Sequence, residues 1–102
     1  MSEADKINTP SEALVKDFEK AAEEVKDLPS ATNDEKLDLY GLFKQANAGD
    51  NDTDRPGAFN FTGRAKWDAW TKNKGTDKKT AMEKYIELVK KLQKEAEEKA
   101  AA

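Results

Sequence analysis

The sequence contains no cysteine and no histidine. Without cysteine the chain can form neither a disulfide framework nor a thiolate zinc site. Without histidine it lacks the commonest general base and metal ligand, which excludes serine–histidine and cysteine–histidine catalysis. No run approaches the roughly 20 apolar residues that span a bilayer, and the polar start of the chain has no apolar leader segment. These absences predict a cytoplasmic protein without a transmembrane segment.

Bulky apolar side chains are also scarce. Only 36% of the 102 residues are hydrophobic, and 18 basic against 21 acidic residues leave a net charge of -3. A disordered chain would need a stronger net charge, and a nucleic-acid-binding protein would need a basic block. The length therefore predicts a single domain over residues 1–102. The composition predicts a thin core, and the charge predicts no nucleic-acid partner.

Apolar residues recur three and four positions apart in four segments, which is the pattern of amphipathic helices. The sets expected to face the core are Leu14, Phe18, Ala21, Val25 and Leu28; Leu39, Leu42, Phe43 and Ala46; Trp67 and Trp70; and Ala81, Met82, Tyr85, Ile86, Val89 and Leu92. The two tryptophans fit either a core or a ligand wall. No segment alternates like a strand, so the pattern predicts an all-α, four-helix bundle.

Capping and turn residues predict the helix boundaries. The expected starts are a Thr32–Glu35 capping box, Thr62, and Thr76 or Asp77, and the expected ends are Pro29, Gly49 and Gly75. Residues 49–61 are rich in Gly, Asp and Asn and predict a long loop. We expect residues 1–10 to be flexible and the polar, Ala-rich residues 94–102 to fray.

Two groups of acidic residues could suggest a metal site or an active site, but neither has the residues that such a site needs. Asp50, Asp52 and Asp54 begin like a calcium loop, but Arg55 stands where glycine is needed and Phe61 where a bidentate glutamate is needed. The remaining carboxylates lie among lysines on polar helix faces, where nothing raises a pKa for acid–base work. We expect neither a metal site nor catalytic residues.

A more informative feature is a helix face that carries Tyr40, Phe43 and Lys44. A phenol, a ring and an ammonium at this spacing suit a phosphorylated nucleotide, because the base can stack and the phosphate can accept charge-assisted hydrogen bonds. By spacing alone, core or core-edge positions for the two aromatic residues remain the simpler interpretation.

Four stretches, taken together, resemble the acyl-CoA-binding protein family. They are FEKAAEEVKDLP (18–29), LDLYGLFKQANAGD (37–50), RPGAFNFTGRAKWDAW (55–70) and AMEKYIELVKKL (81–92). The resemblance implies an up-down-down-up four-helix bundle that binds medium- to long-chain acyl-CoA esters without catalysis, as an intracellular carrier and pool former in lipid metabolism. It implies no cofactor besides this ligand, a monomer, and acyl-CoA-using enzymes as further partners.

The resemblance also assigns site residues position by position. The residues it assigns to acyl-CoA binding are Lys26, Tyr40, Gly41, Leu42, Phe43, Lys44, Lys66 and Tyr85. Among them, Tyr40, Lys44, Lys66 and Tyr85, with Lys26, would meet the phosphates and adenine, whereas Ala22 and Leu37 would meet the acyl chain or its entrance. CoA carries about four negative charges, so an acidic protein needs converging cations, which Lys26, Lys44 and Lys66 would supply. The sequence departs from the family at Phe43, where tyrosine is usual, and in a loop at residues 29–33 that is one residue shorter than in vertebrate members.

Two other functions remain open at this stage. The aromatic and lysine face could dock a partner peptide, which would make the protein a helical interaction module. Paired carboxylates could instead serve an enzyme.

Overall fold

The computed structural model describes residues 9–28 and 31–101. Its helices are α1 (Glu12–Glu24), followed by a 3₁₀ turn (Val25–Asp27), α2 (Asn33–Ala48), α3 (Phe61–Thr71) and α4 (Lys78–Ala101). No strand occurs among the described residues, and the all-α prediction is confirmed. The predicted helix stop at Pro29 and most of the flexible N-terminal segment lie outside the described residues.

Side-chain caps begin α2 and α4 as the sequence predicts. Thr32 Oγ1 accepts a hydrogen bond from the Glu35 backbone N–H at 3.1 Å, and Glu35 Oε1 accepts one from the Thr32 N–H at 2.8 Å. Asp77, one of the two predicted caps for α4, accepts from the Thr80 N–H at 2.9 Å. These bonds satisfy amide groups that the first turn of a helix leaves unpaired.

The boundaries of α3 differ from the prediction. The helix begins one residue before Thr62, because the Asn60 side-chain oxygen accepts from the Gly63 N–H at 2.9 Å and so occupies the capping position. It ends at Thr71, and a further turn leads to Gly75, whose φ of 90° requires glycine. Gly75 therefore closes the turn after the helix rather than the helix itself.

Contacts between side chains fix the directions of α2 and α3. Tyr40 on α2 meets Lys66 on α3, and Lys44, one turn later, meets Trp70, also one turn later. Because partners advance together along both helices, α2 and α3 run parallel.

The directions of α1 and α4 follow in the same way. Phe18 contacts Tyr85, and farther along both helices Gln93 donates a hydrogen bond to Glu24 at 2.6 Å. These two helices are therefore parallel to each other. Gln45 of α2, by contrast, reaches the carbonyl of Thr76 just before α4 begins, which makes α2 and α4 antiparallel. The predicted up-down-down-up order is confirmed.

The core lies where α4 packs against α1 and α2, while α3 packs on the other side of α2. Its members are Phe18, Ala21, Leu39, Ala46, Ala81, Met82, Tyr85, Val89 and Leu92. The predicted core face of α2 is partly wrong, because Phe43 is 39% exposed while Gly41 and the polar Gln45 are buried. An amphipathic pattern assumes one buried face, but α2 is covered by α3 on one side and α4 on another.

Helix α4 continues as regular helix to Ala101, beyond its last core residue, Leu92. The fraying of residues 94–102 stays a prediction. Within residues 9–28 and 31–101, no helix has the length and apolar character to cross a membrane.

Candidate functional site

A groove of about 510 Å³ runs between α2 and α3. Its lining residues are Asn33, Lys36, Leu37, Tyr40, Phe61, Thr62, Ala65 and Lys66. Aliphatic and aromatic groups make much of the wall, and two lysines stand at its side. A groove of this composition can hold an apolar ring or chain next to an anion.

Lys66 and Tyr40 face each other across this groove. The Lys66 ammonium lies 5.6 Å from the centroid of the half-buried Tyr40 ring, which is within the range of a cation–π contact. The parallel packing of α2 and α3 brings the two side chains together from distant parts of the sequence.

A second lysine–aromatic pair follows one turn along the same two helices. The Lys44 ammonium lies 4.8 Å from the centroid of the Trp70 ring, and Trp70 is buried. Within the described residues, the lysines that form ion pairs with carboxylates are Lys20, Lys26, Lys72 and Lys91. A ring face attracts an ammonium without accepting all its N–H donors, so Lys44 and Lys66 are held in place yet can still donate to an anion.

Gly41 lies between the two pairs, where α2 and α3 are in close contact. A Cβ at this position would lie 2.3 Å from the carbonyl oxygen of Ala69 and 2.8 Å from Asn73 Nδ2. Gly41 therefore sets the spacing of the helices that carry both lysine–aromatic pairs.

Three aromatic rings form a cluster where α1, α2 and α4 meet. Phe18 stacks on Phe43 at 5.6 Å between centroids and meets Tyr85 edge-on at 5.0 Å, and Phe43 and Tyr85 are 6.1 Å apart. Burial raises the pKa of the Tyr85 phenol, so that group is neutral at physiological pH. Phe43 forms the exposed edge of the cluster.

Two residues that the resemblance assigns to the site, Ala22 on α1 and Lys26 in the 3₁₀ turn after it, do not line the groove. Ala22 is half-buried against the core, and the Lys26 ammonium pairs with Glu23 at 3.2 Å. Phe18 stacks on Phe43 and the two helices run in opposite directions, so Lys26 lies level with the first half of α2. That places it at the same end of the bundle as the groove.

The remaining assigned residues divide between the groove and the helix contacts. Leu37 lines the groove. Leu42 lies on another face of α2, packed against the core beside Leu88. The structure thus brings Leu37, Tyr40 and Lys66 together with Lys44 one turn away, whereas Gly41 and Leu42 face protein.

The two tryptophans anchor the loop between α2 and α3. The Trp70 indole N–H donates to the Gly49 carbonyl at 2.8 Å, and that of Trp67 donates to the Thr53 carbonyl at 3.0 Å. Both indoles therefore hold this loop in place.

Arginine side chains hold the second half of this loop. Arg55 binds both carboxylate oxygens of Asp68, at 3.1 and 2.9 Å, and these hydrogen bonds and the guanidinium charge keep the pKa of that carboxyl below its usual range. Arg64 donates to the Pro56 carbonyl at 3.0 Å. Phe59, near the end of this loop, has 92% of its surface exposed. The loop leads into Phe61, which lines the groove.

Sequence reasoning does not assign Lys36 or Phe61 to the site. Lys36 lies four residues before Tyr40 and hence on the same helix face, a signal that could have identified it. Phe61 gives no such signal, because its place depends on where α3 begins. In the part of the chain that the structure describes, no group of three or more acidic side chains could hold a metal ion.

Comparison with known proteins agrees with this architecture. The sequence model of the family described as "Acyl CoA binding protein" matches residues 15–89, so the chain belongs to the acyl-CoA-binding protein family. It is 52% identical over 84 residues to an acyl-CoA-binding protein of Ricinus communis, covering 81% of this chain and 93% of that protein.

Two rice proteins extend the comparison. The chain is 56% identical over 84 residues to acyl-CoA-binding domain-containing protein 3 of Oryza sativa subsp. japonica, covering 81% of this chain but only 54% of that longer protein. The crystal structure of Oryza sativa acyl-CoA-binding protein 2 is 49% identical with a TM-score of 0.80, covering 82% of this chain and 94% of that one.

Proposed function

We propose that this chain binds acyl-CoA esters one to one and serves as a carrier and pool former for them. It is a binding protein and not an enzyme. The observation that supports this function most directly is the row of two lysine–aromatic pairs beside an apolar groove, since it offers cations to phosphates and an apolar wall to a chain.

The CoA head group accounts for the cations of the site. Lys44 and Lys66 donate charge-assisted hydrogen bonds to its phosphates, with Lys36 and Lys26 at the same end of the bundle. The adenine stacks against the Tyr40 ring, which the groove leaves half exposed. Tyr85 and Phe43 form the neighbouring wall.

The acyl tail accounts for the apolar surface. Each buried methylene contributes about 0.8 kcal/mol, so burying ten would contribute about 8 kcal/mol before the cost of ordering the chain. Leu37 and Ala22 contact this tail. A preference for medium to long chains follows from the apolar area alone.

The cellular setting belongs to the same proposal. The protein acts as a cytoplasmic monomer that supplies acyl-CoA-using enzymes. A peptide-docking module is not favoured, because an interaction face would not require cations held over rings beside a groove.

Calorimetry with palmitoyl-CoA, CoA and palmitate tests the function. We expect one site for palmitoyl-CoA, with the free head group and the free acid both binding far more weakly. A saturating hundredfold excess over the dissociation constant should add about 2.7 kcal/mol to the free energy of unfolding, or about 10 to 20 °C in the melting temperature. Equal stabilisation by palmitate and palmitoyl-CoA would refute recognition of the head group.

Lys66 on α3 and Lys72, the residue that follows α3, provide a matched pair for testing the site. Lys66→Ala should weaken palmitoyl-CoA binding by more than about 1.5 kcal/mol, because it removes a charge-assisted contact to phosphate. Lys72→Ala removes the same charge, but Lys72 pairs with Asp38 on another face, so affinity should stay within about 0.5 kcal/mol. Both variants should melt close to the parent protein. Equal losses of affinity would mean that only net charge matters.

A further inference from the structure

The family motif around Lys44 contains polar residues that the proposed ligand contacts do not use. Gln45 follows Lys44 and is fully buried. Its side-chain nitrogen donates to Asp50 Oδ1 at 2.8 Å and to the Thr76 carbonyl at 2.7 Å. The same Asp50 oxygen accepts from the Gly75 N–H at 2.9 Å. We call Gln45 and Asp50, with these bonds, the Gln45–Asp50 clamp.

The clamp carries an energetic cost. Gln45 Oε1 is a buried side-chain oxygen with no hydrogen-bond partner within the described residues, and burying such an atom is unfavourable. An apolar residue would fill the same space without that cost. The two bonds donated by the Gln45 nitrogen are therefore what the position requires.

The clamp holds the backbone that orients Trp70. Gly49, between Gln45 and Asp50 in the sequence, has a φ of 81° and donates its N–H to the Gln45 carbonyl at 3.0 Å. Its own carbonyl accepts from the Trp70 indole N–H at 2.8 Å. Movement of Asp50 would turn the adjoining Gly49 peptide and so release the indole, over which the Lys44 ammonium lies.

We propose that the Gln45–Asp50 clamp is a positioning device for Lys44, acting through the Gly49 carbonyl and the Trp70 ring. This inference rests on the proposed role of Lys44 in binding the CoA phosphates. It assigns Gln45 and Asp50 a function in ligand affinity, although neither contacts the ligand.

A double-mutant cycle in the full chain, with palmitoyl-CoA as the probe, tests the inference. Lys44→Ala should weaken binding about 10- to 100-fold. Asp50→Ala should weaken it about 3- to 30-fold in the parent protein, but less than about twofold when Lys44 is already alanine. Asp50→Asn retains a side-chain oxygen acceptor and should restore most of the affinity. Recovery in this variant attributes the loss in Asp50→Ala to the missing acceptor and not to unfolding.

Nuclear magnetic resonance of the Trp70 indole N–H gives a readout independent of ligand, with Trp67→Phe identifying the signal. Asp50→Ala should shift that resonance and speed its exchange with water, whereas Asn51→Ala, which removes a neighbouring bond to Thr71, should do neither. Equal losses of affinity from Asp50→Ala with and without Lys44, or an unmoved Trp70 signal, would overturn the positioning role while leaving the proposed function intact. If Lys44→Ala binds like the parent, the proposed phosphate contact is wrong and the inference falls with it.

Discussion

Gly41 offers a direct test of the close packing that forms the site. In Gly41→Ala the new methyl would lie 2.3 Å from the carbonyl oxygen of Ala69, and a backbone atom cannot swing aside. Such overpacking costs about 1 to 3 kcal/mol, and a clash this close to a backbone atom belongs to the upper part of that range, about 2 to 3 kcal/mol. Exchanging glycine for alanine inside a helix returns about 1 kcal/mol. We expect a net loss of about 1 to 2 kcal/mol, which lowers the melting temperature by about 5 to 15 °C.

Gly57 provides the matched control. A Cβ there meets no atom within 4 Å, and among residues 9–28 and 31–101 positive φ values occur only at Gly49 and Gly75. Gly57→Ala should therefore stabilise the protein by about 0.4 to 1 kcal/mol through the unfolded chain.

Urea and thermal denaturation followed by circular dichroism measure both effects, and calorimetry with palmitoyl-CoA follows the site. Since α2 and α3 must separate to admit the methyl, Gly41→Ala should also weaken binding, whereas Gly57→Ala should not. If alanine at position 41 stabilises the protein as alanine at 57 does, the two helices are not in close contact and the spacing argument is wrong.

Two other expectations can be measured on the same material. Phe43→Tyr should tighten palmitoyl-CoA binding by about 0.5 to 1.5 kcal/mol if the added hydroxyl reaches a phosphate. Phe43→Ala should weaken binding by more than that, because it removes the ring that stacks on Phe18. If calorimetry shows the parent affinity in both variants, the residue lies away from the ligand. Hydrogen bonds from the backbone N–H of Thr32 and of Gly75 lower the pKa values of Glu35 and Asp50 from their ordinary 4.5 and 3.8. The stability contributed by these two carboxylates is therefore present above about pH 4.5 and lost as the pH falls through their folded pKa values. The urea midpoint of unfolding should be constant from about pH 7 to 5 and decline below that. In Asp50→Asn the decline should be shallower.

Local chemistry made much of this fold predictable. The Thr32–Glu35 capping box lies within four residues of sequence, and the apolar spacing of α4 needs only one buried face. Gln45 could not be predicted in the same way, because its partner Thr76 is 31 residues away and a buried amide resembles an exposed one in the sequence. Phe43 is more exposed than the predicted core face implies for a related reason. A helix packed on two sides also buries residues outside its apolar row, here Gly41 and Gln45.

For the candidate site, the sequence predicts which residues take part but not how they are held. The resemblance supplied Tyr40, Lys44 and Lys66 by position, and the structure places them along one seam of α2 and α3. What spacing could not supply is how they are held, since each lysine meets a ring from another helix. Gly41 and Leu42 belong to the same motif, and the structure shows Gly41 against α3 and Leu42 packed on the core. Their assignment to the ligand stays a prediction.

Different faces of α2 serve the core and the candidate site, which explains how a thin core can coexist with a binding site. The face toward α4 contributes Leu39 and Ala46 to the core, whereas Tyr40 and Lys44 face α3 and the groove. Lys66 is exposed and Lys44 is half-buried. Removing either ammonium changes little apolar burial, so affinity can vary with little effect on folding. Gly41 and Gln45 are different, because each contacts the neighbouring elements that fix the position of the site. Substitutions at these two positions should therefore change stability and affinity together, while those at Lys44 and Lys66 should change affinity alone.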